Sequence, residues 1–359
     1  MIERLLRDVL PHTHRYIINS LRCGSPLFLV RLESSSRCQL NCPICPTGLG
    51  RNKDGIVGSG SLGAEDFRRF VRDNPEIVVI DLSNWGEPFL NPDLNEIIRY
   101  AFEKGVHLTA VNGANLNSLS DETIECLVRY QFKAITVSLD GVTDETYAIY
   151  RKGGNFKRVI HHIEQIEACK KRYGSPFPKL IWQFVVMGHN QHELDQARSM
   201  ARYLGMTFRP MLNWSPIYSP VTDEAFIRRR TTLGVASRAE YRIKYGKPYF
   251  IPCYQLWFIP AVNWDGKLLG CCENIWVDFG NVFRLGLKNS LQSERYLNMK
   301  KAVLGKGKMR SDIPCAYCDF YHRYLTQSPL EWKDILFEAL RTWLPYIWNT
   351  SDYGLLPNK

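Results

Sequence analysis

From Leu27 to Pro210 the chain alternates short apolar, β-rich runs with longer stretches whose apolar residues recur every three or four positions. The short runs predict strands at Phe28–Leu32, Ile77–Leu82, Val106–Val111, Ala134–Leu139, Leu180–Val186 and Thr207–Arg209. The longer ones predict helices over Ala64–Arg72, Pro92–Lys104, Asp121–Tyr130, Phe156–Lys171 and Gln191–Leu204. Asn91 before Pro92, and Ser120 before Asp121 and Glu122, read as N-caps. Six β/α units with short connections place the chain in the α/β class, with parallel strands covered by helices. An open or partial (β/α)6 barrel of this kind collects its chemistry at the carboxyl ends of the strands.

Beyond Pro210 the pattern changes. Residues 212–252 are rich in Pro, Ser and Arg without a clean period and read as a basic bridging segment. A compact cysteine-rich domain with a β-hairpin follows over 253–326: Phe258–Asn263 and Leu268–Cys271 flank the turn signal Asp265-Gly266. An aromatic amphipathic helix from Pro329 to Trp348 is expected to cap the core, with a membrane surface as the alternative. The expected organisation is therefore an extension (1–26), an α/β core (27–211), the bridging segment (212–252), the small domain (253–326) and the tail (327–359).

At 359 residues, 45% hydrophobic and 23% charged, the composition is that of a globular protein large enough for one sizeable core and a smaller one. No apolar run reaches the roughly 18 residues of a membrane span, and no secretory signal is legible, so a cytoplasmic location is expected. The formal charge of +10 points to acidic partners. Much of it sits in Arg228, Arg229, Arg230, Arg238, Arg242, Lys244 and Lys247, either a solvated face or a site for a phosphorylated or nucleotide-linked small molecule. Nucleic acid is not expected.

Candidate chemistry begins with Cys38, Cys42 and Cys45, a C-x3-C-x2-C loop just after the first strand. Extended backbone advances at most about 3.6 Å per residue, so thiols this close curl around one shared centre or remain unbound. Three thiolates are one short of the four that close a [4Fe–4S] or zinc site, which leaves an open position for chemistry. Zinc is a weaker reading because no histidine lies near, and disulfides suit neither the spacing nor the compartment.

Further motifs follow successive strands: Trp85-Gly86-Glu87-Pro88, Asn112-Gly113, and Ser138-Leu139-Asp140-Gly141 with Tyr147 and Arg151. With the cysteine loop they resemble the radical SAM superfamily over about residues 27–211. The resemblance implies a [4Fe–4S] cluster on Cys38, Cys42 and Cys45 whose free iron binds S-adenosylmethionine (SAM). It implies that Trp85, Gly86, Glu87 and Pro88 stand for the Gly-Gly-Glu-Pro motif at the SAM amino group, with Trp85 in place of the first glycine. Asn112-Gly113 resembles the Thr-Asn-Gly motif, with Val111 in place of Thr; the resemblance further implies that Ser138 and Arg151 meet the SAM ribose and carboxylate and that Gln183 approaches the ribose. A flavodoxin- or ferredoxin-type reductant is implied as partner.

Cys253, Cys271, Cys315 and Cys318 form a second set, with C-x2-C at its end. On spacing it suits structural zinc or a second cluster. With Asp265-Gly266 and Gly280-Asn281 it resembles the SPASM extension in its shortened twitch form, which implies one auxiliary [4Fe–4S] cluster. The spacing is close to that of the aminocyclitol dehydrogenase 2-deoxy-scyllo-inosamine dehydrogenase. That likeness implies an oxidoreductase that abstracts hydrogen from a C–H bond and turns a carbinol of a sugar-like or aminocyclitol substrate into a ketone.

Cys272 is left beside a candidate ligand and reads as packing, as an alternative ligand or as a thiol hydrogen donor, the last leading to epimerisation. Peptide maturation is a third branch; the segment before Leu27 is too short for a peptide-binding winged-helix domain. A non-catalytic metal-binding or electron-transfer module is the alternative of another class. Cys23, Cys126 and Cys169 read as buried apolar residues, and His161, His162, His189 and His192 as solvated or capping ones.

Overall fold

The computed structural model describes residues 29–335 and residue 338, so Cys23 and most of the expected tail helix lie outside the described residues. Six strands fall where the periodicity places them: β1 (Leu29–Leu32), β2 (Val79–Asp81), β3 (His107–Ala114), β4 (Ala134–Ser138), β5 (Lys179–Val186) and β6 (Thr207–Leu212). A seventh, β7 (Ala261–Val262), comes from the second cysteine region and pairs in parallel with β1. The sheet runs β6-β5-β4-β3-β2-β1-β7, and every neighbouring pair is parallel. This is the expected partial barrel, closed on one side by the following domain.

Helices α1 (Ala64–Asp73), α2 (Leu94–Glu103), α3 (Asp121–Arg129), α4 (Asp144–Tyr150), α5 (Phe156–Tyr173) and α6 (Leu194–Tyr203) cover one face of the sheet. Side chains on that face, including Val30, Ile80, Leu108, Ile135 and Trp182, join the main apolar core. Burial of such residues, about 25 cal/mol per Å² of apolar surface, is the main force holding helices to sheet.

The other face is polar towards its carboxyl end. Register aligns Arg31, Asp81 and Thr109 across β1, β2 and β3, so their side chains share that face. Thr136, Gln183 and Arg209 continue it, with Arg209 Nη2 donating to Thr136 Oγ1 at 3.2 Å and to Gln183 Oε1 at 3.0 Å. A row of polar groups facing inward is the signature of a binding chamber rather than of a second core.

Several expectations need correction. Ser120 caps α3 through the amide of Thr123, but Asn91 does not N-cap α2, whose N-cap is Asp93; it ends the 3-10 turn Pro88–Leu90. Its carboxamide instead donates to the carbonyls of Ser34 and Leu62, stapling the loops after β1 and before α1. The stretch from Gln191 opens with a 3-10 turn before α6 begins at Leu194. The bridging segment is not irregular: β6 runs to Leu212, and α7 (Glu224–Arg230) and α8 (Arg238–Tyr245) follow, capped by Asp223 and Ser237. The hairpin is present but short, because Phe258 ends helix α9 (Gln255–Phe258). Its rungs are Asn263 N to Lys267 O and Leu269 N to Ala261 O. Finally, His162 is buried rather than solvated, with Nδ1 2.7 Å from the carbonyl of Leu116.

Candidate active site and cysteine centres

The first cysteine loop leaves β1 at its carboxyl end. Cys45 N donates to Cys42 O at 3.2 Å, and Cys38, Cys42 and Cys45 pack with Leu40, Tyr150, Val185 and Met187. The loop closes so tightly that a Cβ on Gly48 would lie 2.7 Å from the backbone nitrogen of Cys42, so only glycine fits. Two sulfurs face donors: Asn115 Nδ2 is 3.7 Å from Cys38 Sγ, and Arg151 Nη1 is 3.9 Å from Cys42 Sγ. Burial, with Glu87 next, pushes the Cys38 thiol up to about 12, and burial raises Cys42 as well. A bound metal reverses that bias, because a coordinating thiol is deprotonated.

The loop after β2 is fixed by a carboxylate that periodicity did not single out. Glu33, fully buried just past β1, accepts the amides of Trp85 at 2.6 Å and Gly86 at 2.9 Å on one oxygen. Gly86 presses on the backbone of Ser35 and Ser36, leaving no room for a Cβ. Pro88 opens a 3-10 turn, and its carbonyl accepts from Ser34 Oγ at 3.1 Å. Glu87 is buried, with one oxygen accepting the amide of Asn115 at 2.6 Å. Burial raises Glu33 to about 8 and Glu87 to about 7.

The remaining motif residues sit along the same rim. Asn112, on a bulged part of β3, is exposed; its backbone amide donates to Ser83 Oγ at 3.0 Å. Ser138 ends β4 beside Gln183 in register. Arg151 is held by Asp140 at 2.7 Å, a pair whose carboxylate is wholly buried. Asp140 also accepts the amide of Val185 at 2.8 Å, so the guanidinium is aimed by β5 and by the loop after β4. The structure thus brings the cysteine loop, the Trp85–Pro88 loop, Asn112, Ser138, Arg151 and Gln183 to one end of the sheet.

Buried polar atoms without a protein partner concentrate there: Glu33 Oε2, both polar atoms of the Asn84 carboxamide, Trp85 Nε1, Glu87 Oε1 and Thr109 Oγ1. Native interiors leave few such atoms, so the end of the sheet is built to receive a polar molecule. The residues present therefore fit an amino-acid-bearing cofactor at this position.

The second set converges as well. Cys253, Cys271, Cys315 and Cys318 line one small cavity with apolar walls that include Leu256, Leu269 and Met299. Burial first, then mutual repulsion of the sulfurs, raises Cys253 and Cys271 well above the usual thiol range. Burial likewise lifts Cys315 to about 12. Four thiols in one dry cavity are costly as anions unless cationic metal compensates, so this donor set fits a thiolate-ligated cluster.

Cys272 parts from its neighbour. Its thiol receives Gln255 Nε2 at 3.4 Å and its amide donates to Gln255 Oε1 at 2.8 Å, while Arg31 Nη1 reaches that same oxygen at 3.4 Å. Arg31 also pairs with Asp81 at 3.1 Å, so Cys272 is tied through Gln255 to the polar face of the sheet, while its neighbours Cys271 and Glu273 line the four-thiol cavity. Burial, followed by Glu273, pushes its thiol up to about 12. Cys126 and Cys169 are buried apolar residues, as expected.

The basic segment is mostly a solvated face. Arg228 holds Glu224 and Glu240, and Arg230 holds Asp195. Among the described residues no helix is long and apolar enough to cross a membrane.

Residues 32–199 match the Radical SAM superfamily, and residues 253–319 match SPASM, an iron–sulfur cluster-binding domain. The chain is 28% identical over 180 residues to the AdoMet-dependent heme synthase of Methanosarcina barkeri, covering 49% of this chain and 48% of that one. It is 31% identical over 153 residues to the 7,8-dihydro-6-hydroxymethylpterin dimethyltransferase of Methanocaldococcus jannaschii, covering 41% and 28%. The matches span about half or less of these curated relatives. Streptococcus suis SuiB bound to S-adenosylmethionine has the same fold, with a TM-score of 0.58 at 13% identity over 86% of this chain and 75% of that one. A radical SAM domain implies a [4Fe–4S] cluster and SAM, and a SPASM domain implies auxiliary iron–sulfur clusters. The chain belongs to the radical SAM superfamily, its core domain followed by a SPASM domain.

Proposed function

We propose that this enzyme holds its SAM-binding cluster on Cys38, Cys42 and Cys45 and one auxiliary cluster on Cys253, Cys271, Cys315 and Cys318. In this reading it oxidises a carbinol of a sugar-like or aminocyclitol substrate held on the polar inner face of the barrel. When bound, these groups supply one-electron cleavage of SAM, a 5′-deoxyadenosyl radical that takes hydrogen from the substrate, and an acceptor for the second electron. The protein's residues bind and orient. Asp140 aims Arg151 at the SAM carboxylate, Glu33 fixes the Trp85–Pro88 loop for the amino group, and Ser138 and Gln183 lie along the ribose. Arg31, Asp81 and Thr109 offer the substrate a mixed set of donors and acceptors while the SPASM hairpin excludes water.

The observation that supports oxidation is the four-thiol cavity whose lining residue Cys271 is followed directly by Cys272, which Gln255 ties to Arg31 on the polar face of the sheet. The test is anaerobic turnover of candidate polyols and aminocyclitols with SAM and a chemical reductant. Oxidation yields a product lighter by two hydrogens with one 5′-deoxyadenosine per turnover. A product that keeps its mass in ordinary water and gains one deuterium when the reaction is run in D2O contradicts it.

A second reading rests on the Cys272 thiol, held by Gln255 within reach of Arg31 on the polar face. There the S–H bond breaks homolytically, its hydrogen quenches the substrate radical, and the resulting thiyl is returned to a thiol by one electron and one proton from the external reductant and solvent. The outcome is epimerisation. Peptide maturation shares the opening step and is separated by substrate trials, and absence of any SAM cleavage would leave a metal-binding or electron-transfer module. An external one-electron carrier of the flavodoxin or ferredoxin type is the reductant in each catalytic case.

A further inference from the structure

The surroundings of the first cysteine loop carry a group of exposed cations. A polar recess beside it is lined by Ser36, Arg37, Thr47, Asn52 and Lys53, and Cys38 is part of its wall. Arg37 and Lys53 are exposed at the recess, and Arg51 is exposed between them in the same loop. Exposed Lys152 joins the group, since its carbonyl accepts the amide of Asn41 at 2.9 Å. None of these four cations forms an ion pair with a described residue. Arg68, Arg69, Arg99, Arg228 and Arg310, by contrast, each hold a carboxylate. The one acid in the loop, Asp54, leaves the patch with a formal excess of three positive charges.

Unpaired cations repel one another and stabilise nothing within the chain. Clustered, they raise the local potential and accelerate encounters with an oppositely charged partner. The recess also brings that partner to a thiol that, in the reading above, ligates the cluster. Electron transfer weakens steeply with distance, so a recess ending on such a thiol is placed for electron entry. A nucleic acid or free phosphate would draw no advantage from a sulfur at that position.

We propose that Arg37, Arg51, Lys53 and Lys152 form the docking face for an acidic one-electron carrier protein, which delivers its electron through the recess beside Cys38. This rests on the proposed cluster at Cys38, Cys42 and Cys45. The loop from Pro46 to Ser59 serves as the rim of the docking face, and its backbone is braced from behind by Val57, whose carbonyl accepts Trp264 Nε1 and Asn263 Nδ2, each at 2.9 Å.

The test uses the reconstituted full chain and follows cluster bleaching after rapid mixing with a reduced acidic ferredoxin. The wild-type rate should rise as salt is lowered, because surface charges are screened beyond about 10 Å at 0.1 M. Arg37→Glu with Lys53→Glu should slow it at least tenfold at low salt, and calorimetric binding of the oxidised carrier should weaken by a similar factor. Bleaching by photoreduced deazaflavin, which is not steered by charge, should be unchanged. Arg51→Glu with Lys152→Glu is the second pair should the first fail to fold. A carrier rate that keeps its wild-type value in a folded variant overturns the proposal. So does loss of oligonucleotide retention with the carrier rate intact, which would assign the patch to nucleic acid. If deazaflavin drives no SAM cleavage in the wild type, the proposed function fails instead, while carrier binding still reports on the docking face.

Discussion

Trp264, at the tip of the SPASM hairpin, donates its indole Nε1 to the carbonyl of Val57 at 2.9 Å, and its ring closes over Gly60 so completely that no Cβ would fit. Gly60 in turn bonds Ser36 through both amide and carbonyl, and Ser36 stands two residues before Cys38. The two cysteine regions are therefore mechanically joined: the hairpin that presents Cys271 also holds the loop that presents Cys38. Trp264→Ala should cost about 2–4 kcal/mol of stability. Hydrogen exchange of residues 46–60 should quicken well beyond that of α1 in the same variant. Equal protection across both regions would show that the hairpin does not brace the loop.

Asp140→Asn tests how Arg151 is aimed. Breaking a buried pair by removing one partner costs about 3–5 kcal/mol, because the remaining charge is stranded. With the guanidinium released, SAM affinity measured by calorimetry on the reconstituted protein should fall at least tenfold. A variant that binds SAM as tightly as wild type would remove Arg151 from the cofactor site.

Glu33 gives a pH dependence of definite sign. Burial raises its folded-state value to about 8 from an ordinary 4.5, so the folded chain holds the proton more tightly than the unfolded chain. Its contribution is complete below about 4.5 and is lost as pH rises through 8. The melting temperature of the apo chain should therefore fall between pH 5 and 9, by on the order of 5 °C more than in Glu33→Gln. Parallel curves for the two proteins would show that Glu33 is not the titrating group.

Much of this architecture is legible in the chain because its signals are local. Strands buried on both faces read as apolar runs, and Ser120 caps the helix that follows it directly. The failures have equally physical causes. Asn91 looks like a cap, yet its partners are Ser34 and Leu62, which no local pattern reveals. Helices α7 and α8 were hidden because each buries a single side chain, Ile227 or Tyr241, and so shows no apolar stripe. The strand β7 is two residues long and finds β1 across more than two hundred positions. Glu33 and Gln255 escaped notice because a lone carboxylate or amide has no periodicity, while the Cys38, Cys42 and Cys45 loop and the four later cysteines were announced by spacing alone.

Cys272→Ala separates the two catalytic outcomes. A dehydrogenase should keep most of its turnover, because the thiol donates no hydrogen there. An epimerase should still cleave SAM but lose product formation at least a hundredfold. Analysis of 5′-deoxyadenosine and product in the same reaction decides between them.

The most direct measurement is made on the full chain reconstituted with iron and sulfide without oxygen. Two clusters of four predict about eight irons per chain, falling to about four in Cys315→Ala. In that variant dithionite should produce a reduced-cluster paramagnetic signal that changes when SAM is added, together with 5′-deoxyadenosine. A colourless protein, or an iron signal indifferent to SAM with no nucleoside formed, would contradict the account.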